Sequence, residues 1–171
     1  MRVFIGIKLP DALKLNIKPF SESVLSCVNT NELIAVDNCH ITLEFLGEIE
    51  DVESLIHQLR SVFFHPFTVS VGSPKTFDKG THKIIYLPVI SDEIQLLRQK
   101  VLSSIEKPYI PVNTYTPHIT LFRKAFMIKP LSDLDFNASF EVDAFDLFLS
   151  HRVAGKLTYT VLHSFPLKRI V

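Results

Sequence analysis

The chain has 171 residues, of which 47% are apolar and fourteen are Phe, so it can bury a core and is not a disordered protein. Lysine plus arginine and aspartate plus glutamate number 18 each. This balance argues against a protein that holds a long nucleic acid by neutralising its phosphates. A small basic cleft for one or two phosphates remains compatible with it.

The first ten residues and the two cysteines indicate the cellular location of the protein. "MRVFIGIKLP" alternates in hydrophobicity, carries Lys8 and lacks a small-residue cleavage site, so it predicts a strand rather than a signal peptide. No apolar run reaches the length of a membrane span. Cys27 and Cys39 form neither a disulfide framework nor a zinc pattern. We therefore expect a cytoplasmic protein with no membrane attachment. A monomer without an obligate protein partner is a separate expectation, which these features do not test.

Hydrophobic periodicity in the first half of the chain alternates between strand and helix patterns. The predicted elements are, in order, a strand at residues 2–10, a helix at 11–25, a strand at 39–47 and a helix at 51–63. Val3, Ile5 and Ile7 lie on one face of the first strand. Pro19 should break or kink the first helix, and Asp51 is a suitable cap for the second.

The second half predicts strands at 66–72 and 82–90, a helix at 91–108, and strands at 117–124, 139–152 and 156–167. A turn with Gly80 joins the first two of these strands, and the last two form a hairpin around Gly155. Ser91 or Asp92 caps the helix and Pro108 stops it. The order indicates a single α+β domain, residues 1–171, with antiparallel sheets and helices packed outside.

The letters HITL occur twice, beginning at His40 and at His118. Residues two apart on a strand face the same way, so His40 shares a face with Thr42 and His118 shares one with Thr120. The match extends to the apolar neighbours of each Thr, although strand-forming composition alone is the competing explanation. If the two polar faces meet, four polar groups converge on one cleft.

Two converging imidazoles suit one reaction class. An imidazole with a pKa of about 6.5 exchanges protons at neutral pH. One neutral His can take a proton from water while the other, protonated, gives one to a leaving oxygen. The Thr hydroxyls would donate hydrogen bonds to phosphate oxygens that gain charge in the transition state. A cyclic phosphodiester suits such a site because its ring is strained and its leaving oxygen stays tethered. The near-symmetric motifs do not assign the two roles.

The paired motifs, with "RVFIGIKLP", "CHITLEFLGEI", "PHITLFR", "LFLS" and "YTVLHSFPL", resemble the 2H phosphoesterase superfamily. Within it they resemble the RNA 2′,3′-cyclic phosphodiesterases, also called 2′-5′ RNA ligases. The resemblance implies two pseudo-symmetric lobes of antiparallel sheet, with helices outside and a central cleft. It also implies metal-independent hydrolysis of RNA 2′,3′-cyclic phosphate ends to a 2′-phosphate, without a cofactor. Ligation of 2′-5′ ends is implied as a secondary activity.

The same resemblance implies roles for individual residues. His40 matches the proton donor to the leaving 3′ oxygen, and His118 matches the base that activates water. Thr42 and Thr120 are the expected phosphate-binding hydroxyls. Arg123 occupies the place of an arginine that contacts phosphate. Strict alternation would turn the Arg123 side chain away from His118, so this role requires a bend or a bulge in the strand.

Other functions stay open on the residues alone. A non-catalytic RNA-end binder would usually have lost one of the four motif groups, and a cyclic phosphodiesterase for small nucleotides would need the same groups. A metal hydrolase is disfavoured because no H-x-H or H-x-x-x-H occurs among the seven histidines. Cys39 and His40 cannot pair, because adjacent strand residues face opposite sides. We interpret Lys79, Lys83 and Arg152 as solvated charge and Phe4 as a core residue.

Overall fold

The computed structural model of the protein describes residues 1–106 and 114–169. The strands in these residues are β1 (Arg2–Lys8), β2 (Val28–Asn29), β3 (Glu32–Leu33), β4 (His40–Glu48), β5 (Phe67–Val71), β6 (Lys75–Asp78), β7 (Lys83–Ile90), β8 (His118–Met127), β9 (Ala138–Val142), β10 (Ala144–Val153) and β11 (Lys156–Pro166). The helices are α1 (Asp11–Leu25), α2 (Val52–Leu59) and α3 (Asp92–Ser104). None of the helices in the described residues combines the length and hydrophobicity that a membrane crossing requires.

The strands pair in the order β11, β10, β1, β4, β8, β7, β5 and β9, and each pairing is antiparallel. The order divides between β4 and β8 into two lobes of four strands. β2 and β3 add to β8, and β6 adds to β7. The lobes join where Ile41 of β4 pairs with Ile119 of β8. Both central strands therefore begin with an HITL motif, and the predicted antiparallel α+β architecture is confirmed.

The helices pack one apolar side against this sheet. α1 buries Leu13, Ile17 and Val24, and α3 buries Ile94 and Leu97. Burying side chains of this size contributes about 1.5–3 kcal/mol each. Helix packing on the outside of the sheets, as predicted, leaves the opposite sheet faces for the polar side chains of the motifs.

The helix boundaries follow the expected capping. The Asp51 carboxylate accepts a hydrogen bond from the Ser54 amide at 2.9 Å, and the Ser91 hydroxyl accepts one from the Ile94 amide at 3.3 Å. Pro108, the predicted stop for α3, lies outside the described residues. Pro19 neither breaks nor ends α1, which continues through it. The hydrogen bond that Pro19 cannot make is the one to the carbonyl of Leu15, on the exposed side of the helix.

Two strand predictions were wrong in detail. Residues 139–152 form two strands rather than one, because the chain leaves the ladder at Asp143. β9 joins β5 in one lobe, while β10 pairs with β1 and β11 in the other. Residues 75–78 form the additional strand β6, which the Gly80 turn joins to β7 with a φ of +87° at that glycine. Since one residue separates β9 from β10, the sheet must curl so that its two ends approach.

The central strands carry equivalent bulges just after their motifs. On β4 the register against β1 shifts between Thr42 and Glu44, and on β8 the register against β7 shifts between Thr120 and Phe122. In each strand two consecutive residues are buried at this point, and the next one is exposed. The bulge therefore returns the following side chain, Arg123 on β8, to the face of the motif histidine. The bulge that a phosphate role for Arg123 required is present.

Candidate active site

The four polar side chains of the two motifs line one cleft of about 580 Å³ at the junction of the lobes. The antiparallel pair of Ile41 with Ile119 sets this arrangement. Because the strands are antiparallel, the positions on either side of this pair place His40 beside Thr120 and Thr42 beside His118. The two imidazoles are thus related by an approximate two-fold axis through the isoleucine pair. Arg123 also lines the cleft.

His40 is oriented through both of its ring nitrogens. Nδ1 lies 2.7 Å from the carbonyl oxygen of Asn38. Because a carbonyl only accepts, Nδ1 carries a proton and donates it. Nε2 lies 2.8 Å from the Thr42 hydroxyl oxygen. In the neutral ring Nε2 accepts a hydrogen bond from Thr42, and in the protonated ring Nε2 becomes the donor.

His118 is held in the same way from the opposite strand. Its Nδ1 donates to the carbonyl oxygen of Thr116 at 2.6 Å. Its Nε2 is again the nitrogen left for proton exchange, because a ring with Nδ1–H has its lone pair on Nε2. In each motif the accepting carbonyl belongs to the residue two positions before the histidine. The backbone therefore sets the same tautomer in both rings.

Aromatic rings confine each imidazole. Phe4 and Tyr159 lie 4.8 and 5.1 Å from the His40 ring centre, while Phe77 and Tyr86 lie 5.1 and 5.5 Å from that of His118. Phe4 is buried, as expected of a core residue. Sequence reasoning missed the other three rings. Alternation on the last strand could have found Tyr159, whereas Phe77 lay in a segment expected to be a connection.

Burial and positive charge lower the pKa of both histidines. For His40 the pKa falls to about 4, mainly through burial and partly through Arg123 and His118, although the bond to the Asn38 carbonyl opposes this. The pKa of His118 is lowered by burial and by Arg123, against the bond to Thr116. These shifts favour the neutral form of both rings in the free cleft. A bound phosphate would reverse the effect, because its negative charge favours the imidazolium.

A cluster of Arg98, Glu44 and Tyr115, which also lines the cleft, supports the β4 bulge. The Tyr115 hydroxyl donates to the carbonyl oxygen of Thr42 at 2.7 Å, and Nε of Arg98 donates to that of Leu43 at 3.1 Å. Arg98 also pairs with Glu44 at 2.8 Å and lies 4.6 Å above the Tyr115 ring. Burial raises the pKa of Tyr115, which keeps its donor proton. The sequence signal was one arginine within the buried face of α3.

The other candidate residues lie partly inside and partly outside the cleft. No group of three His, Cys, Asp or Glu side chains in the described part of the chain could hold a metal ion. Cys39 is buried, and burial raises the pKa of its thiol to about 12. Its sulfur lies 3.8 Å from the carbonyl oxygen of Thr120, away from its neighbour His40. Lys79 lines the cleft, whereas Arg152 lines an adjoining hollow.

Comparison with known proteins places these features in a wider group. The family model described as the 2′-5′ RNA ligase superfamily matches residues 10–154. The relative named RNA 2′,3′-cyclic phosphodiesterase from Archaeoglobus fulgidus is 29% identical over 111 residues, which cover 63% of this chain and 62% of the relative. The Escherichia coli protein of the same name is 27% identical over 98% of this chain and 94% of its own length.

Solved structures agree in fold along nearly the whole chain. The structure of Escherichia coli LigT complexed with 3′-AMP is 25% identical, with a TM-score of 0.79 over 98% of each chain. A structure described as a phosphoesterase is 24% identical, with a TM-score of 0.80 over 98% of this chain and 99% of its own.

Proposed function

Because the chain belongs to the 2′-5′ RNA ligase superfamily, we propose that it hydrolyses 2′,3′-cyclic phosphates at RNA ends to 2′-phosphates by proton transfer between two histidines. The observation that supports this proposal is the pair of imidazoles that an approximate two-fold axis relates in one cleft. Each ring donates a hydrogen bond from Nδ1–H to a backbone carbonyl, which leaves Nε2 for proton transfer. Relatives named RNA 2′,3′-cyclic phosphodiesterase support the substrate class.

In the proposed reaction His118 acts as the base and His40 as the acid, as the family resemblance implies. Nε2 of His118 takes a proton from water, whose oxygen forms the new bond to phosphorus. The bond from phosphorus to O3′ breaks on the opposite side, and O3′ takes the proton from Nε2 of His40. The products are a 2′-phosphate and a free 3′-hydroxyl. Placement of the histidines on opposite strands suits this in-line geometry.

The other polar groups stabilise charge on the phosphate. Thr42 and Thr120 donate hydrogen bonds to the non-bridging oxygens, and the Arg123 guanidinium neutralises the charge that develops there. Thr42 exchanges its bond to His40 for one to the phosphate. Binding of the anionic substrate raises the pKa of His40. His40 therefore takes up the catalytic proton when the substrate binds.

The proposed mechanism uses no metal or cofactor. We also propose that the protein is a cytoplasmic monomer. Joining of 2′-5′ ends follows the same steps, with the 5′-hydroxyl of a second RNA strand in place of water as the nucleophile and O3′ as the leaving oxygen. Hydrolysis dominates because water, the competing nucleophile, is present in large excess.

The test follows an RNA oligonucleotide with a 2′,3′-cyclic end by phosphorus NMR. The protein should produce only the 2′-phosphate, and EDTA should leave the rate unchanged. His40→Ala and His118→Ala should each lose about 10²- to 10⁴-fold in rate. His57→Ala, at an exposed position on α2, is the matched control and should be fully active. Full activity of either motif variant contradicts the mechanism, and RNA binding without turnover by the unmodified protein would indicate a non-catalytic binder.

A further inference from the structure

A second hollow, of about 410 Å³, adjoins the cleft on the β4 side. We propose that it binds the backbone phosphates of the RNA strand on the 5′ side of the cyclic end. Phe45, Arg123 and Tyr159 line both the cleft and the hollow, so the two are continuous. This inference rests on the proposed function and adds to it that oligonucleotide ends, rather than mononucleotides, are the preferred substrates.

The charge of the hollow is suited to a polyanion. Arg2 and Arg152 line it together with Arg123, and no Asp or Glu is among the described residues that do so. Arg2 and Phe4 lie on the same face of β1, separated by about 6.6 Å along the strand. Phe4 packs against the His40 ring at 4.8 Å. Positive charge therefore continues from Arg123 in the cleft to Arg2 in the hollow.

These arginines are not neutralised by the protein. Glu48 pairs with Arg2 in the strand register, but its carboxylate lies 3.4 Å from the Met1 amino group. In the described residues, no carboxylate lies within ion-pair distance of Arg2, Arg123 or Arg152. Nη1 of Arg152 donates to the Gly155 carbonyl oxygen at 3.1 Å, which leaves its charge uncompensated. A strand of RNA can therefore neutralise the three arginines without displacing a carboxylate.

The proposed reaction predicts the direction in which the RNA strand leaves the cleft. In-line attack places water and O3′ on opposite sides of phosphorus, and O3′ belongs to the terminal ribose. The ribose therefore lies on the side of the proton donor, His40. Phe4 and Tyr159, which pack on the His40 ring, also line the hollow. The strand 5′ to that ribose then leaves the cleft over the hollow rather than over the opposite lobe, where Lys79 lines the cleft.

The experiment compares three substrates with the same 3′ end. They are adenosine 2′,3′-cyclic phosphate, a triadenylate with the same cyclic end, and that triadenylate with neutral methylphosphonate linkages. The unmodified protein should prefer the charged triadenylate in kcat/KM by about tenfold, since each exposed ion pair contributes up to about fivefold. The neutral triadenylate should behave like the mononucleotide, and salt should reduce the preference. Because no residue is changed, misfolding cannot produce this result.

Variants then locate the effect. The double change Arg2→Gln with Arg152→Gln should reduce the preference to about twofold or less because both phosphate contacts are lost. Arg152→Lys keeps the charge and should keep most of the preference. Arg60→Gln, at an exposed position on another surface, is the matched control and should change nothing.

Three other outcomes would overturn the inference. Equal kcat/KM for all three substrates would overturn it and leave the proposed function intact. A preference that survives the double change and is lost in Lys79→Gln would place the strand on the other lobe. Absence of turnover with every substrate would overturn the proposed function together with the inference.

Discussion

The two central strands present the same backbone to the cleft but surround it with different side chains. Both have a histidine tied to a carbonyl two residues before it, and both have a bulge after the threonine. At the bulge β4 buries Glu44 where β8 buries Phe122, and the next exposed position is Phe45 on β4 but Arg123 on β8. The symmetric backbone supplies two proton-exchanging groups, whereas the unlike neighbours give them unlike electrostatic settings.

The neighbouring strands continue this contrast. Gly6 lies beside Thr42, and Tyr86 lies beside Thr120. A Cβ at Gly6 would lie 2.7 Å from the carbonyl oxygen of Ile41, so only glycine allows β1 to approach β4 this closely. On the other lobe the Tyr86 ring packs on His118 instead. Beside the threonine, the β4 half is thus packed through its backbone, whereas the β8 half is packed through the side chain of Tyr86.

The largest expected effect is a difference in rate between the His40→Ala and His118→Ala variants on a modified substrate. A substrate with sulfur in place of the bridging 3′ oxygen has a leaving group that needs less help from an acid. His40→Ala should regain most of the activity that it loses on the ordinary substrate, about 10²- to 10⁴-fold. His118→Ala should not be rescued, because water still needs a base. Rate measurements with both substrates check this, and rescue of His118→Ala alone would exchange the two roles.

The unlike exposed positions give the second prediction. Arg123→Gln should lower kcat/KM by about 10- to 150-fold, the range of a hydrogen bond to a charged group. Steady-state kinetics on the mononucleotide substrate measures it. Arg123→Lys retains the charge and should lose less. A change within twofold for Arg123→Gln would show that this side chain does not contact the reacting phosphate.

A smaller effect is expected from the cluster of Arg98, Glu44 and Tyr115 that supports the β4 bulge. Tyr115→Phe removes the hydrogen bond to the Thr42 carbonyl, which should lower kcat about fivefold at nearly constant KM and lower the free energy of unfolding by about 1 kcal/mol. Denaturant unfolding and kinetics measure the two effects. Tyr86→Phe, whose hydroxyl makes no hydrogen bond to another described residue, is the control and should change neither. Equal effects of both changes would contradict a positioning role for Tyr115.

The smallest expected effect is a displacement of the pH optimum. The proposed mechanism needs one protonated and one neutral imidazole. Because the pKa of His40 is lowered to about 4 and that of His118 is also lowered, kcat/KM should peak below pH 6.5 and fall tenfold per unit above it. The bound phosphate raises both pKa values, so the kcat optimum should lie at higher pH. Buffered rate profiles check this, and a kcat/KM that is constant up to pH 7.5 would contradict it.

Local patterns were sufficient to predict much of this molecule. Alternation placed each histidine with its threonine, and the caps Asp51 and Ser91 were identified from short-range chemistry. The break at Asp143 was not foreseen, because a continuous strand pattern does not show that its two parts pair in different lobes. Tyr115 and Arg98 were missed for a similar reason, since their partners lie 73 and 55 residues away in sequence. The catalytic roles of the motif residues remain predictions.

The position of β1 also bears on how the chain reaches this state. Val3 pairs with Leu149 on one side and Gly47 on the other. During synthesis β1 therefore acquires its second neighbour only after β10 has been made. Ladders that join such distant segments form slowly, over milliseconds to seconds. Until then the edge of β1 stays open, and the pocket around His40 lacks the wall that Tyr159 provides.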